Sequence, residues 1–414
     1  MSDSAIDLKT LVGAFTQVRD LTERIAEPLS AEDQLMQSLP SASPTKWHRA
    51  HTTWFFESFV LRPLGVEPLD PKNDYLWNSY YDAVGARHPR LQRGLLSRPS
   101  LDEVKGYRAA VDARVVETLL RLDLPQLEQV RPVVLLGLAH EQQHQELLLT
   151  DIQHALAQSP LKPAYRVPTP SPVRPPPRPT FTTFEGGLVE VGAPAGPFAF
   201  DNEGPRHRVF LEPFELADAF VTVGDVMAFM AEGGYAAPSL WLSEGWDWMR
   251  REGVQAPLYW TLDGSSVRGF TLEGERPLDA SEPASHLSFF EAEAIARYLG
   301  ARLPTEHEWE WAAPDEVTGH LLDLARPLSP CAGDAPAYGT VWTWTRSAYA
   351  AYPGYRPGVG ALGEYNGKFM VNQMVLRGGS CLTPQGHVRR SYRNFWYPDT
   401  RFQMTGIRLA RDLA

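Results

Sequence analysis

Apolar residues recur at helical spacing through the first 158 residues of the chain, and the pattern then changes. DLKTLVGAFTQVRDLTERIAE predicts a helix over 7–27, and SPTKWHRAHTTWFFESFVLRP predicts a second over 43–63. LDEVKGYRAAVDARVVETLLRL predicts a third over 101–122, and VRPVVLLGLAHEQQHQELLLTDIQHALAQ a long fourth over 130–158. The second helix opens with Ser43 placed as N-cap and Pro44 at the first helical position. Four helices of this length predict an up-and-down bundle over 1–158. Residues 159–180, SPLKPAYRVPTPSPVRPPPRPT, hold nine prolines. Such a segment cannot continue a helix or fill a central strand, so an extended linker is predicted there. From 181 to 414 the chain is rich in Gly, Pro and Trp, with short β-like runs such as GGLVEVG and HRVFLEPFELA. Two short helices stand out, near 222–232 and 287–299. The fold class is therefore α + (α+β), a helical bundle followed by an irregular α+β domain, with no internal repeat.

Composition narrows the functional classes. At 414 residues the chain is too long for one ordinary core, which agrees with two domains. The formal charge is −11 and no basic cluster is present, so nucleic acid is not an expected partner. The two cysteines, Cys331 and Cys381, are too few for a disulfide framework. The N-terminus lacks the apolar run of a signal peptide, and no stretch approaches the ~18 apolar residues of a membrane span. A cytoplasmic enzyme is the expectation. The twelve tryptophans favour aromatic-lined pockets.

The chemistry concentrates in HEQQHQE, 140–146. His140 and His144 are four apart and share one helix face, on a stripe with Val133, Leu136 and Leu147 that ends at Asp151. H-E-x-x-H is the zinc-protease signature, but Leu147 and Thr150 stand where its extended form needs Gly and His. The better third ligand lies upstream. In KWHRAHTTWFFE, His51 falls on the most apolar stripe between Trp47 and Trp54, whereas His48 sits on a more polar face. Three imidazoles, His51, His140 and His144, would form a facial triad with open positions, suited to Zn²⁺ as Lewis acid or Fe²⁺ for oxygen chemistry. Between the ligand helices, NSYYDAVGARHPRLQRGLLSRP (78–99) offers Tyr80, Tyr81, Arg87, Arg90 and Arg93. It reads either as a solvated basic loop with aromatic anchors or as a carboxylate-binding loop, since guanidinium forks match carboxylates.

These residues resemble a known family. The H…HxxxHxE pattern resembles a DinB-type bundle. FDNEGPRH (200–207), VTVGD (221–225), HLSFFEAEAIARYLGARLPTEHEWEWAA (286–313), VWTWT (341–345) and LRGGS (376–380) resemble the formylglycine-generating-enzyme fold, a C-type-lectin-like architecture. In this order the halves, 1–158 and 181–414, resemble the nonheme-iron sulfoxide synthases of ergothioneine biosynthesis. The resemblance implies Fe(II) on His51, His140 and His144, and small-molecule partners: hercynine, a thiol or selenol donor, and O₂. It implies Gln143 beside the imidazole substrate, Arg87 and Arg90 on the donor carboxylate, and Tyr365, Asn394, Phe395 and Trp396 in the substrate pocket, the aromatic rings cradling the trimethylammonium end. The γ-glutamylcysteine branch carries a tyrosine where this chain has Leu362 and an aspartate where it has Trp396. Both departures point to the cysteine-using branch, with Tyr80 and Tyr81 as its catalytic tyrosines, although that branch has Phe rather than Trp at 396. Selenoneine synthases, which use a selenosugar donor, are a related group. Formylglycine-generating activity itself is not expected, because no second cysteine accompanies Cys381.

Overall fold

The computed structural model describes residues 8–169, 179–264, 266–333, 335–358 and 361–413. Within the predicted linker, 170–178 lie outside the described residues, as does the side chain of Leu362. The chain forms two compact units. The first comprises Met1–Ser159, Ala195–Phe200 and Pro357–Tyr365; the second comprises Pro160–Pro194, Asp201–Arg356 and Asn366–Ala414. Two short segments from beyond residue 181 thus belong with the helices. Their attachment has a visible cause: the Glu364 carboxylate accepts the backbone N–H groups of Asp82 and Ala83 at 3.0 and 2.9 Å, and the Phe200 ring stacks on Tyr365.

The first unit is built on α1 (Leu8–Ala26), α2 (Thr45–Phe56), the short α3 (Asn73–Trp77), α4 (Leu101–Arg121) and α5 (Leu124–Gln158). α4 opens with a reciprocal capping box between Ser100 and Glu103. α5 opens six residues earlier than the apolar pattern predicts, because Asp123 and Gln126 form a second capping box. α2 departs from expectation at both ends. Pro44 is extended (φ −62°, ψ 147°) and takes the cap position, so Ser43 lies one residue outside. At its far end α2 widens into a π turn, Glu57–Leu61, pinned where the Glu57 carboxylate accepts the Tyr107 hydroxyl (2.7 Å) and the Leu69 N–H (2.8 Å). Leu11, Phe15, Phe56, Val60, Val111, Val115, Leu119, Leu127, Val134 and Leu138 form the apolar core. Gly137 lets α2 and α5 approach: a Cβ there would lie 2.7 Å from the Phe56 ring and 3.0 Å from the Phe55 ring.

The second unit is an irregular α+β domain. A three-stranded sheet orders Phe181–Phe184, Phe214–Phe220 and Arg408–Asp412, and a four-stranded sheet orders Asn394–Trp396, Met374–Arg377, Trp342–Ala348 and Thr405–Gly406. Among the described residues four helices accompany them: α6 (Val223–Ala231), α7 (Ser243–Glu252), α8 (Phe289–Tyr298) and α9 (Glu306–Ala312). The sequence pattern predicts only α6 and α8. α7 and α9 are short, and α9 is started by a Thr305–Glu308 capping box rather than by apolar periodicity. Buried ion pairs tie α9 to the four-stranded sheet: Arg377 meets Glu306 and Glu310 at 3.0 and 2.9 Å, and Arg393 meets Glu306 at 2.8 Å. No helix among the described residues is long and apolar enough to cross a membrane.

Candidate metal centre

His51 projects from α2, and His140 and His144 project from α5 one turn apart. Their ligating nitrogens all lie within 4.8 Å of one another. Nε2 of His51 is 3.2 Å from Nε2 of His140, a separation at which two lone pairs can converge on one cation. Burial is the first cause of their charge state. It pushes His140 down to about 3, and with neighbouring imidazoles it holds His51 and His144 well below the usual histidine range. All three are therefore neutral near pH 7 and offer lone pairs rather than protons. Two buried and one half-buried neutral nitrogen donors fit a borderline divalent cation such as Fe²⁺ or Zn²⁺.

Outer contacts aim two of the rings. Trp47 and Trp54, one turn to either side of His51, both stack on it, at 4.5 and 5.7 Å. His51 Nδ1–H donates to the Trp77 carbonyl at 2.6 Å, which leaves the lone pair on Nε2. His144 Nδ1 lies 2.7 Å from His48 Nδ1, and His48 Nε2 lies 3.0 Å from Asp151 Oδ2.

The glutamate of HEQQH faces elsewhere. One residue advances an α-helix by about 100°, so Glu141 and Gln145 share a different face from the histidines. Glu141 is fully buried; its oxygens take Arg19 at 2.7 Å, Arg108 at 2.6 Å and the Thr22 hydroxyl at 2.6 Å. Burial alone would raise its pKa, but Arg108 and Arg19 outweigh that and hold it at about 2. Its oxygens are committed to two guanidiniums and a hydroxyl, so Glu141 itself is not free to act as the general base that the zinc-protease signature assigns to it.

The other predicted residues of this unit fall in three groups. Tyr365 and Gln143 lie beside His140, and Tyr80 and then Tyr81 follow behind Tyr365. The Tyr365 hydroxyl donates to Gln143 Oε1, its ring lies 5.6 Å from His140 and 6.1 Å from Tyr80, and Tyr80 lies 4.6 Å from Tyr81. Tyr81 is wholly buried, and burial, with Tyr80 next to it, raises its pKa well above the usual phenol range. The Asn78 side chain fixes its backbone, accepting Tyr81 N–H at 3.0 Å and donating to its carbonyl at 2.9 Å. Arg87 and Arg90 form the second group; both are exposed, Arg87 paired with Asp82 and Arg90 donating to the Ser41 carbonyl. The third is Arg93, the buried arginine of that loop, 3.5 Å over the Trp47 ring and hydrogen-bonded to Ser43 and Ser79 hydroxyls. No carboxylate among the described residues forms an ion pair with it, and burial, with Arg90 and Arg87 nearby, pushes its pKa down to about 8. Asn394, Phe395 and Trp396 belong to the second unit, where Phe395 stacks on Tyr349 at 3.9 Å and Trp396 packs edge-on to Phe402 at 5.3 Å.

His48 and Asp151 are residues to which sequence reasoning assigned no role beyond His48 as the less favoured third ligand. His48 precedes His51 by three positions, and Asp151 follows His144 by seven, two helical turns along the same face. That spacing is the signal that could have found them.

A helical bundle that brings three neutral imidazoles together, in a chain continued by an α+β domain, defines a two-domain class of protein with a candidate metal centre. The DinB superfamily model matches residues 14–148, and the sulfatase-modifying factor enzyme 1-like domain model matches 166–320 and 333–413. The chain is 32% identical to the hercynine oxygenase of Mycolicibacterium smegmatis over 98% of this chain and 99% of that one. It is 30% identical to that of Mycolicibacterium thermoresistibile (90% and 88% covered) and 31% identical to that of Mycobacterium tuberculosis (90% and 92% covered). The chain belongs to the hercynine oxygenase family, with the two-domain architecture of the ergothioneine sulfoxide synthases, and is an oxygen-using oxidative enzyme.

Proposed function

We propose that this protein is an Fe(II)- and O₂-dependent enzyme that joins a thiol donor, cysteine, to the imidazole C2 of hercynine as a sulfoxide. The reaction balances as hercynine plus cysteine plus O₂ giving the sulfoxide and one water. The C–H and S–H bonds are lost, a C–S bond forms, and O₂ delivers one oxygen to sulfur and one to water. The observation that carries the reading is the convergence of His51, His140 and His144, neutral and within 4.8 Å of one another. Membership of the hercynine oxygenase family supports the substrate.

When bound, iron supplies the one-electron chemistry with O₂ that organic side chains lack. The residues of this chain do the rest. His51, His140 and His144 would hold the ion through their neutral ring nitrogens. Gln143 and Tyr365, hydrogen-bonded to each other beside His140, orient the substrate imidazole. Arg87 and Arg90 receive the donor carboxylate at the loop surface, Arg87 exchanging Asp82 for it. Tyr80 and Tyr81 supply the proton, and burial raises the Tyr81 pKa, so its hydroxyl holds its proton near neutral pH.

The test is anaerobic purification, Fe²⁺ loading, and addition of hercynine, cysteine and O₂, with products read by mass spectrometry. Hercynyl-cysteine sulfoxide is the expected product. His140→Ala is expected to abolish iron loading and turnover, and Tyr80→Phe or Tyr81→Phe to keep the iron and slow product formation by roughly 10²–10⁴-fold. Wild-type rates in both tyrosine variants and their double would move the proton source elsewhere. A conjugate formed only with a selenosugar would reassign the donor. Hydrolysis of a peptide or ester with Zn²⁺ alone would overturn the reading.

A further inference from the structure

The three histidines are held from outside in three different ways. His51 leans on a backbone carbonyl, that of Trp77, which no side-chain substitution removes. His140 Nδ1 has no hydrogen-bond partner among the described residues. His144 is held by a chain of side chains that crosses from α5 to α2 and back. His48 Nδ1 is 2.7 Å from His144 Nδ1, and His48 Nε2 is 3.0 Å from Asp151 Oδ2. His48 is 3 % exposed and Asp151 7 %, so the bond between them is shielded from water, and the half-buried His144 closes the near end.

We infer that Asp151 and His48 form a hydrogen-bond relay that sets the tautomer and aim of His144, and so are positioning residues of the metal centre. The inference rests on the three-histidine reading above. Its logic is a count of protons. A bond between two Nδ1 atoms exists only if one of the two carries hydrogen and the other does not. Asp151 Oδ2 already accepts the Ser43 N–H at 2.8 Å, so it acts as an acceptor, and His48 Nε2 must donate to it. An imidazole carrying one proton then presents a lone pair at Nδ1. That lone pair requires His144 to place its own hydrogen on Nδ1, which leaves His144 Nε2 bare. Reversing the first bond would reverse the last and put a hydrogen where the cation must bind. The carboxylate at the end of the relay also makes His144 a stronger donor, as outer carboxylates do for metal-bound imidazoles. The relay braces α2 against α5 at the level of the site. Ser43, displaced from the cap of α2, is the backbone group that locks its far end.

The experiment is Co²⁺ binding by the full chain, with affinity measured by chelator competition and the visible absorption band as a second readout. His48→Leu removes the acceptor, and His48→Asn restores it, because Asn Oδ1 sits about where His Nδ1 does. His48→Leu is expected to weaken Co²⁺ binding 10–100-fold and to shift the band. His48→Asn is expected to recover most of the affinity, and Asp151→Asn, which keeps the bond but removes the charge, to fall between them. Affinity is scored per folded molecule, with thermal unfolding of the metal-free chain measured alongside. A variant that has merely lost packing would then melt earlier yet bind as before. If His48→Leu and Asp151→Asn bind Co²⁺ with wild-type affinity and spectrum, the relay is overturned while the metal centre stands. If the wild-type chain itself binds no Co²⁺, the metal-centre reading is overturned and the relay falls with it.

Discussion

The first half of α5 and its second half hold their neighbours by different means. From Leu127 to Leu138 the helix meets α1, α2 and α4 through apolar side chains, with Phe15, Phe56, Val115 and Leu119 across the gap. From Glu141 onward buried polar contacts join apolar ones such as Leu148, Leu149 and Ile152. Glu141 binds Arg19 and Arg108, and Gln145 donates to the Val18 carbonyl at 2.8 Å and the Thr22 hydroxyl at 3.0 Å. Apolar contact is insensitive to direction, so the first half brings the helices together without setting how α5 is rolled about its axis. Charged and hydrogen-bonded contacts are directional, and a pair of arginines on one face sets the roll. With Glu141 pinned, His140 and His144 have one direction left to point, towards His51. In the first half sequence specifies volume; in the second it specifies angle.

The largest test of this contrast is a cut on each side. Glu141→Gln removes the charge that two buried guanidiniums share and is expected to cost roughly 3–5 kcal/mol, read as the urea midpoint of the metal-free chain. Leu119→Ala, deep in the apolar half, is expected to cost a similar 2–5 kcal/mol, roughly, for the cavity it leaves. The two should separate in metal binding. Folded Leu119→Ala should bind Fe²⁺ as wild type does, whereas folded Glu141→Gln should bind it more weakly because α5 is free to roll. Equal metal affinity in both would mean that the roll of α5 is set elsewhere. A small stability loss in Glu141→Gln, combined with abolished hydrolysis of some ester, would return Glu141 to the role of a base.

The same contrast explains what the chain revealed in advance. The bundle was readable because apolar spacing of 3.6 and capping residues are local signals, and the fourth helix was placed late only because Asp123 and Gln126 precede its apolar run. The histidine cluster was readable because i, i+4 spacing on one helix puts two rings on one face. The tertiary choices were not. His48 looks polar and peripheral from α2 alone; in the fold it is buried and bonded to Asp151, more than 100 positions away. Arg93 reads in sequence like Arg87 and Arg90, and packing on Trp47 with hydrogen bonds to Ser43 and Ser79 separates it from them. The docking of Pro357–Tyr365 on the helical unit has no periodic signature, since it depends on one carboxylate, Glu364, and one ring, Tyr365.

A smaller effect should come from the boundary between the two halves. Gly137→Ala would gain about 1 kcal/mol of helix propensity, yet its Cβ would meet the Phe56 ring at 2.7 Å. Overpacking costs about 1–3 kcal/mol, so the two effects largely offset each other in stability. They do not offset in geometry. The relief available is for α2 to move away from α5, one turn below the His51–His140 contact. Gly137→Ala is therefore expected to melt within a few degrees of wild type and to bind Fe²⁺ measurably more weakly. Unchanged affinity would show that Phe55 and Phe56 can rotate aside without moving α2.

The smallest expected effect concerns Tyr81, a buried polar group held by backbone and stacking contacts rather than by an ion. Burial, then Tyr80, raises its pKa above the value of about 10 that a phenol has in the unfolded chain. A raised folded pKa means that the native state keeps a proton the unfolded state gives up. Its contribution to stability is complete below pH 10 and declines as pH rises beyond that. Tyr81→Phe cannot ionise, so its unfolding free energy should fall less steeply above pH 10 than that of the wild type, with the two parallel at pH 7–9. Fluorescence-monitored urea titrations of the metal-free chain at pH 8 and pH 10.5 measure the difference. Parallel curves across that whole range would mean that the Tyr81 hydroxyl ionises as readily in the folded chain as in the unfolded one. It would then be in contact with water, and the buried, permanently protonated donor proposed for the oxidative step would have to be sought at Tyr80.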